Sequence, residues 1–181
     1  MMGTIRKQTT EIENLSLLAS HDALTNLKNY RSFTETLTRE LAEIQRHGHA
    51  SVLALADLDK FKSVNDRHGH VAGDHVLQEV SRFFLENTRK NDIVARYGGE
   101  EFAFILTRTD IEQGFKTMDR LRSMLAELQI EYHGQIISVT MSVGVTPFPD
   151  SGSQTALELM KQVDSAMYQA KALGRNKTII I

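Results

Sequence analysis

Apolar positions along this chain fall in two rhythms, one spaced for helices and one for strands, and their alternation predicts the architecture. From about Ile5 to Ser20 a thin stripe (Ile5, Ile12, Leu15, Leu18, Ala19) predicts a helix, with Ile5, Ile12 and Ala19 seven apart as in a short coiled-coil seam. So polar a helix is marginal alone in water, and it is expected to continue from, or dock onto, something else. A polar loop over 21–31 leads to a helix with Phe33, Leu37, Leu41 and Ile44 on one face. Asn29 or Ser32 is its expected cap and Gly48 its end. Ser51–Ala56 is a continuous small apolar run, the pattern of a strand covered on both faces. It runs into Asp57-Leu58-Asp59-Lys60-Phe61-Lys62. Aspartate is a poor strand residue, so Asp57 marks the strand's end or a functional compromise.

Gly69–Asp74 reads as a turn, followed by a helix with Val76, Leu77, Val80, Phe83 and Phe84 on one face. Two apolar runs, Ile93–Ala95 and Phe102–Leu106, flank Gly98-Gly99 and predict a tight hairpin. A third amphipathic helix carries Ile111, Phe115, Met118, Leu121, Leu125 and Leu128. Ile137, Val139, Met141, Val143 and Val145 alternate as one strand, stopped by Pro147 and Pro149. Leu159, Met160, Val163, Ala166, Met167 and Ala170 make a fourth helix ended by Gly174, and Thr178–Ile181 a closing strand. Met160 and Met167 read as core filler rather than cofactor ligands. The whole is an α/β (α+β) sheet with helices packed on it, in a split βαβ order like a ferredoxin-type palm.

Composition narrows the function classes more than the fold. The length of 181 residues suits one domain with a short extension. Its 41% hydrophobic and 24% charged content is ordinary for a globular chain. A net charge of −2 argues against a nucleic-acid polymer as partner, yet allows a site for one small nucleotide. The lack of cysteine excludes disulfides, thiolate catalysis and zinc–thiolate sites, and it fits a reducing cytoplasm. No apolar stretch approaches the roughly 18 residues of a membrane segment, and Met1-Met2-Gly3-Thr4 opens no secretory pattern. The expected location is cytoplasmic, with membrane anchoring left open for a longer protein.

The sharpest chemical signal is Arg96-Tyr97-Gly98-Gly99-Glu100-Glu101-Phe102. Glycine tolerates positive φ and lets another molecule approach the backbone. Two carboxylates directly after the bend are placed to bind a hard cation. Alone, the same residues also read as an exposed turn with solvated glutamates. If the strand ending at Asp57 lies beside this tip, three carboxylates gather, and they repel unless a cation sits among them. Magnesium suits a few carboxylates plus substrate phosphate oxygens. Read alone, Lys171 and Arg175 stabilise a helix C-terminus, Asp74 is a helix N-cap, and Arg89 with Asp92 is a surface pair.

Six blocks in order, Asp22–Leu27, Asp57–Asp66, Gly69–Asp74, Arg96–Phe102, Ser142–Gly144 and Ala166–Asn176, carry a family resemblance. Over about Asp22 to Asn176 the chain resembles the GGDEF family of diguanylate cyclases, in the variant reading Gly-Gly-Glu-Glu-Phe. The resemblance implies a ferredoxin-like palm related to adenylyl cyclase catalytic domains, with a central, mainly antiparallel sheet. It implies condensation of two GTP into cyclic di-GMP, releasing two pyrophosphates, in a homodimer whose protomers each hold one GTP. Residues 1–20 would be a signalling or linker helix, open to an upstream sensor domain, and 21–181 the catalytic domain. By resemblance, Asp57, the backbone carbonyl of Leu58 and Glu100 bind Mg2+ (or Mn2+), two ions per half-site. Glu101 contributes to the second ion, and Glu100 is also the family's proposed base. Lys62 contacts phosphate, and Lys171 and Arg175 clamp the terminal phosphate. Asp74 accepts from guanine, Asn65 adds an amide contact, His70 lies near the base, and Gly98 and Gly99 border the substrate. The counterpart of Asp59 is usually structural.

Arg89-Lys90-Asn91-Asp92 stands at the offset from Gly98 of the family's inhibitory Arg-x-x-Asp motif, implying cyclic di-GMP as inhibitor as well as product. Arg120 falls where some relatives add a second arginine, and reads equally as an exposed-face residue. Two positions depart from the family pattern: Asn26 replaces glycine and Tyr30 replaces the first arginine. Asparagine tolerates left-handed backbone, so the turn can persist; Arg31 is the candidate to compensate for Tyr30. Two rival readings stay open, a silent cyclic di-GMP receptor and a cyclase making cyclic AMP or cyclic GMP. The intact Gly-Gly-Glu-Glu block weighs against the first, and Asp74 with Asn65 against ATP in the second.

Overall fold

The computed structural model describes residues 20–149 and 154–181. All but the end of the predicted first helix lies outside them. Helix α1 (Tyr30–His47) starts at Asn29, whose side chain accepts from the Ser32 N–H, so Asn29 rather than Ser32 is the cap. Gly48, in left-handed backbone, closes it by donating its N–H to Ile44. Strand β1 (Val52–Leu58) is buried throughout and forms the middle of a five-stranded sheet. It pairs antiparallel with β3 (Glu101–Leu106) and with β6 (Met141–Pro147). Outside β3 lies β2 (Ile93–Arg96), antiparallel; outside β6 lies β7 (Thr178–Ile180), the one parallel neighbour. The sheet is therefore mainly antiparallel, as the palm resemblance implies.

Helices cover both faces, and the period-two alternation of a strand assigns each residue to a face. Val52, Ala54 and Ala56 share a core with α3 (His70–Asn87) and α4 (Ile111–Glu127), through Val80, Phe84 and Leu121. Leu53 and Leu55 share the other core with α1 and α5 (Ala156–Ala172), through Phe33, Val163 and Met167. Continuing that count puts Asp57 on the α5 side. In β3, Ala103 and Ile105 belong to the same core, which puts Glu101 there too. A Cβ at Gly144 of β6 would collide with the Val163 carbonyl, so α5 presses its backbone onto the sheet. Its last turn, bearing Lys171, thereby reaches the end of β1.

One element is new and two predicted ones differ. A short helix α2 (Phe61–His68) follows β1, starting at Lys60 in left-handed backbone. Its polar sequence buries only Phe61, too little apolar periodicity to predict it. The predicted turn Gly69–Asp74 is instead the joint and first turns of α3, with Gly69 at φ +87° between the two helices. Asp74 is thus inside a helix and not its N-cap. The single strand expected over Ile137–Val145 is broken at 138–140: β4 (Ile130–Tyr132) and β5 (Gln135–Ile137) form a separate hairpin, and β6 begins at Met141. The break occurs where Asp59 engages Thr140, its N–H donating to the Thr140 carbonyl at 2.8 Å and its carboxylate accepting from the Thr140 hydroxyl at 2.7 Å. Among the described residues no helix is long and apolar enough to cross a membrane.

Candidate active site

Asp57 and Glu101 face each other across β1 and β3 as register partners, and the Leu58 N–H donates to the Glu100 carbonyl at 3.1 Å. The two stretches expected to converge do so. Glycine's role at the tip is narrower than expected: neither Gly98 nor Gly99 has positive φ, but a Cβ at Gly98 would collide with the Glu101 carboxylate. Gly99 is open to space, as a position bordering a ligand needs.

Electrostatics mark the cluster as unsatisfied. Burial pushes the Asp57 carboxyl up, against the pull of Lys171, while Asp59 raises it further and Arg175 lowers it. Burial and then the neighbouring Asp57 push Glu100 up, with Lys171 opposing. Glu101 rises for the same first two reasons, opposed by Lys171, with further repulsion from Asp164 and Glu100. The counter-charge is Lys171, whose ammonium sits 2.8 Å from Asp57 Oδ2. Sequence reasoning assigned Lys171 to substrate phosphate and did not foresee this pairing. It also missed Asp164, although seven residues before Lys171 is two helical turns and so the same face.

The carboxylates of Asp57 and Glu100, close enough to repel and joined through the Leu58 N–H on the Glu100 carbonyl, are hard oxygen donors of the kind a divalent cation takes. Among the described residues no three acidic or imidazole groups converge closely enough to chelate unaided. The three carboxylates expected to gather are thus neighbours across β1 and β3 and not a closed chelating set.

Around the cluster, Asp59 accepts from Ser142 Oγ at 2.6 Å, from Thr140 Oγ1 at 2.7 Å and from the Asn176 N–H at 3.0 Å. It fastens the loop that carries Arg175, where Arg175 and Asn176 both adopt positive φ. Its structural role is thereby visible. Lys62 is exposed on the first turn of α2, and Asn65 lies on the same helix with its amide against Gly73, where a Cβ would strike its oxygen. His70 and Asp74 are exposed on the first two turns of α3. The structure thus brings Asn65 to the α3 stretch that bears Asp74.

The loop before α1 is clamped to the hairpin. Burial would raise the Asp22 carboxyl, but hydrogen bonds from Thr25 and Arg96 outweigh it and hold it low. Arg96 reaches Asp22 at 3.1 Å and the Gly99 carbonyl at 2.8 Å, joining that loop to the residue before Glu100. Asn26 adopts φ +57°, so the turn persists as expected. Tyr30 packs on Tyr97 at 4.9 Å between ring centroids, and this burial pushes the Tyr97 phenol up to about 12. Arg31 pairs with Glu35 in solvent.

The second predicted site sits apart. Asp92 accepts from the Arg89 N–H at 3.1 Å and the Thr107 N–H at 3.3 Å, while the Arg89 side chain is exposed. Arg120 donates to the Asn87 carbonyl at 3.0 Å, which brings it beside the end of α3 just before Arg89.

Residues 19–177 match the family described as diguanylate cyclase, GGDEF domain. The chain belongs to the GGDEF family. Its GGDEF relatives include diguanylate cyclase DgcP of Pseudomonas aeruginosa, 36% identical over 168 residues, covering 93% of this chain and 25% of DgcP. Diguanylate cyclase DosC of Escherichia coli is 36% identical over 157 residues, covering 86% of this chain and 34% of DosC. The chain therefore spans about a quarter to a third of the length of these curated relatives. Among solved GGDEF structures, the coiled coil and GGDEF domain of DgcB from Caulobacter crescentus, in complex with c-di-GMP, superposes with a TM-score of 0.93 at 27% identity, covering 99% of this chain and 95% of that one. Diguanylate cyclase SiaD of Pseudomonas aeruginosa, with its activator SiaC, gives 0.86 at 35% identity, covering 99% and 69%.

Proposed function

We propose that this chain is a diguanylate cyclase domain that condenses two GTP into cyclic di-GMP. The observation that carries the reading is the convergence of Asp57 and the Glu100–Glu101 pair at one end of the central strands, within the charge field of Lys171. In each half-reaction the 3′-hydroxyl of one GTP attacks the α-phosphorus of the other. An O3′–Pα bond forms, the bond from Pα to the bridging oxygen breaks, and pyrophosphate leaves with that electron pair. The hydroxyl proton passes to Glu100 and on to solvent. Two such steps close the ring.

Asp57, the Leu58 carbonyl and Glu100 would hold Mg2+ or Mn2+, with Glu101 toward a second ion. When bound, such a cation polarises the α-phosphate and offsets charge on the leaving group. Lys62, Lys171 and Arg175 bind phosphate oxygens, Arg175 as a fork and the lysines as point charges. Lys171 must then turn from Asp57 toward the substrate. Asp74 and Asn65 orient guanine through its N1 and N2 protons, with His70 beside them. One protomer binds one GTP, so two facing protomers complete the reaction, a positioning effect above all. Arg89, Asp92 and Arg120 form the site at which cyclic di-GMP inhibits. Residues 1–20 relay signals from any upstream sensor domain into the Asp22–Arg96 clamp, in the cytoplasm.

The test is turnover of GTP with Mg2+, the product identified by mass, across a dilution series. Cyclic di-GMP is expected, with specific activity falling on dilution as the dimer separates. No product from GTP, together with binding of cyclic di-GMP, would identify a receptor instead. Faster turnover of ATP, or release of cyclic GMP, would identify the other cyclase chemistry.

A further inference from the structure

Between α2, the 136–140 segment and the Gly174–Asn176 loop lies a cavity of about 470 Å3. One wall is a single stripe of α2, with Lys60, Ser63, Val64, Arg67 and His68 spaced by threes and fours. Asn65, turned to Gly73, belongs to a different stripe. The facing wall is the 136–140 segment that interrupts the predicted long strand, and the Gly174–Asn176 loop closes the third side. Three cations line it, Lys60, Arg67 and Arg175, and among the described residues none is in an ion pair. The one carboxylate present, Asp59, already accepts from Thr140, Ser142 and Asn176. A concavity lined by unpaired cations concentrates anions, and a guanidinium fork beside a point charge suits phosphate oxygens. Short stretches of chain join the cavity to the carboxylate cluster. Arg175 lines it four residues after Lys171, whose ammonium lies 2.8 Å from Asp57, and Asp59 and Lys60 line it two and three residues after Asp57.

We propose that this cavity receives the leaving pyrophosphate and passes it to solvent, Arg175 handing the anion to Lys60 and Arg67. The inference rests on the GTP-condensing reading above. It involves no covalent step of its own, since the pyrophosphate arrives already carrying the electron pair of the broken Pα–O bond.

Inorganic pyrophosphate provides the probe, titrated calorimetrically into the whole chain and added as an inhibitor of turnover. Arg67 is exposed, so Arg67→Ala is expected to fold with an unchanged Tm. Pyrophosphate should bind Arg67→Ala about tenfold more weakly, with the inhibition constant rising in step and the GTP KM shifting less than about twofold. Arg67→Lys should recover much of the affinity and Arg67→Glu lose it. Unchanged pyrophosphate binding in Arg67→Ala and Arg67→Glu overturns the proposal. A parallel rise in the GTP KM overturns it too, because Arg67 would then hold the substrate itself. Should the parent make no cyclic di-GMP, the condensing reading fails separately, and calorimetry still reports whether the cavity takes the anion.

Discussion

Asp57 and Asp59 stand two residues apart at the end of β1, at 9% and 8% exposure, yet their surroundings are opposite. Asp59 is met by two hydroxyls and a backbone N–H, all within 3.0 Å. Asp57 faces two further carboxylates, and its ion-pair partner is Lys171, at the end of a flexible four-carbon stem. Both are buried acids with the same covalent chemistry. The first locks a loop in place because every acceptor has a fixed donor. The second has a counter-charge that can move away, leaving oxygens free for another cation. A buried carboxylate that the fold does not fully satisfy is a candidate for chemistry.

The largest expected effect separates the two clusters by activity and stability at once. Glu100→Gln should cut cyclic di-GMP formation about a thousandfold or more, while the fold is retained or stabilised, because a repelling charge is gone. Loss of activity accompanied by unfolding would break the contrast. Asp59→Ala should act first on stability. Orphaning the Thr140 and Ser142 hydroxyls and the Asn176 N–H should cost about 3 kcal/mol, seen as a Tm lower by roughly 6–12 °C. If its Tm stays put, the three hydrogen bonds are not what fastens that loop.

The Asp22–Arg96 clamp is a third, satisfied acid and sharpens the comparison. Asp22→Ala should cost about 2 kcal/mol in chemical denaturation, because the Thr25 and Arg96 donors lose their acceptor. Its held-down carboxyl contributes stability that is present above its unfolded pKa and lost as pH falls through the folded one. The raised carboxyls of Asp57, Glu100 and Glu101 have the opposite sign. Their folded values exceed the unfolded ones, so the folded form binds more protons between the two, and stability falls as pH rises through that interval. The smallest effect follows from this. The stability advantage of Glu100→Gln over the parent should be absent in acid and grow as pH rises through that interval, and millimolar Mg2+ should shrink it. An advantage independent of pH would mean that Glu100 is not strained by its neighbours.

Much of this was legible in the residues, and the misses share a cause. Asn29, Gly48 and the unbroken run ending at Ala56 announced α1 and β1, because capping and burial on both faces are local properties. Helix α2 escaped notice since Phe61 is the one residue it buries. Gly69–Asp74 reads as a turn because Gly73 stands there for the close approach of Asn65, a tertiary demand. The alternation from Ile137 to Val145 continues unbroken in the sequence, yet the chain bends at 138–140, where an aspartate far away in sequence holds Thr140.

The sequence by itself determined which segments are strands and helices, which face of each turns inward, and the blocks that tie the chain to its family. Period-two counting even set Asp57 and Glu101 on one side of the sheet once their pairing was known. Only the tertiary structure decided that Lys171 lies on Asp57, that Asp164 adds to the charge around Glu101, that three donors converge on Asp59, and that α2 and the 136–140 segment enclose a cationic cavity. Periodicity is set by neighbours a few residues apart, whereas these contacts join residues brought together only by strand order and by the packing of α5 against Gly144.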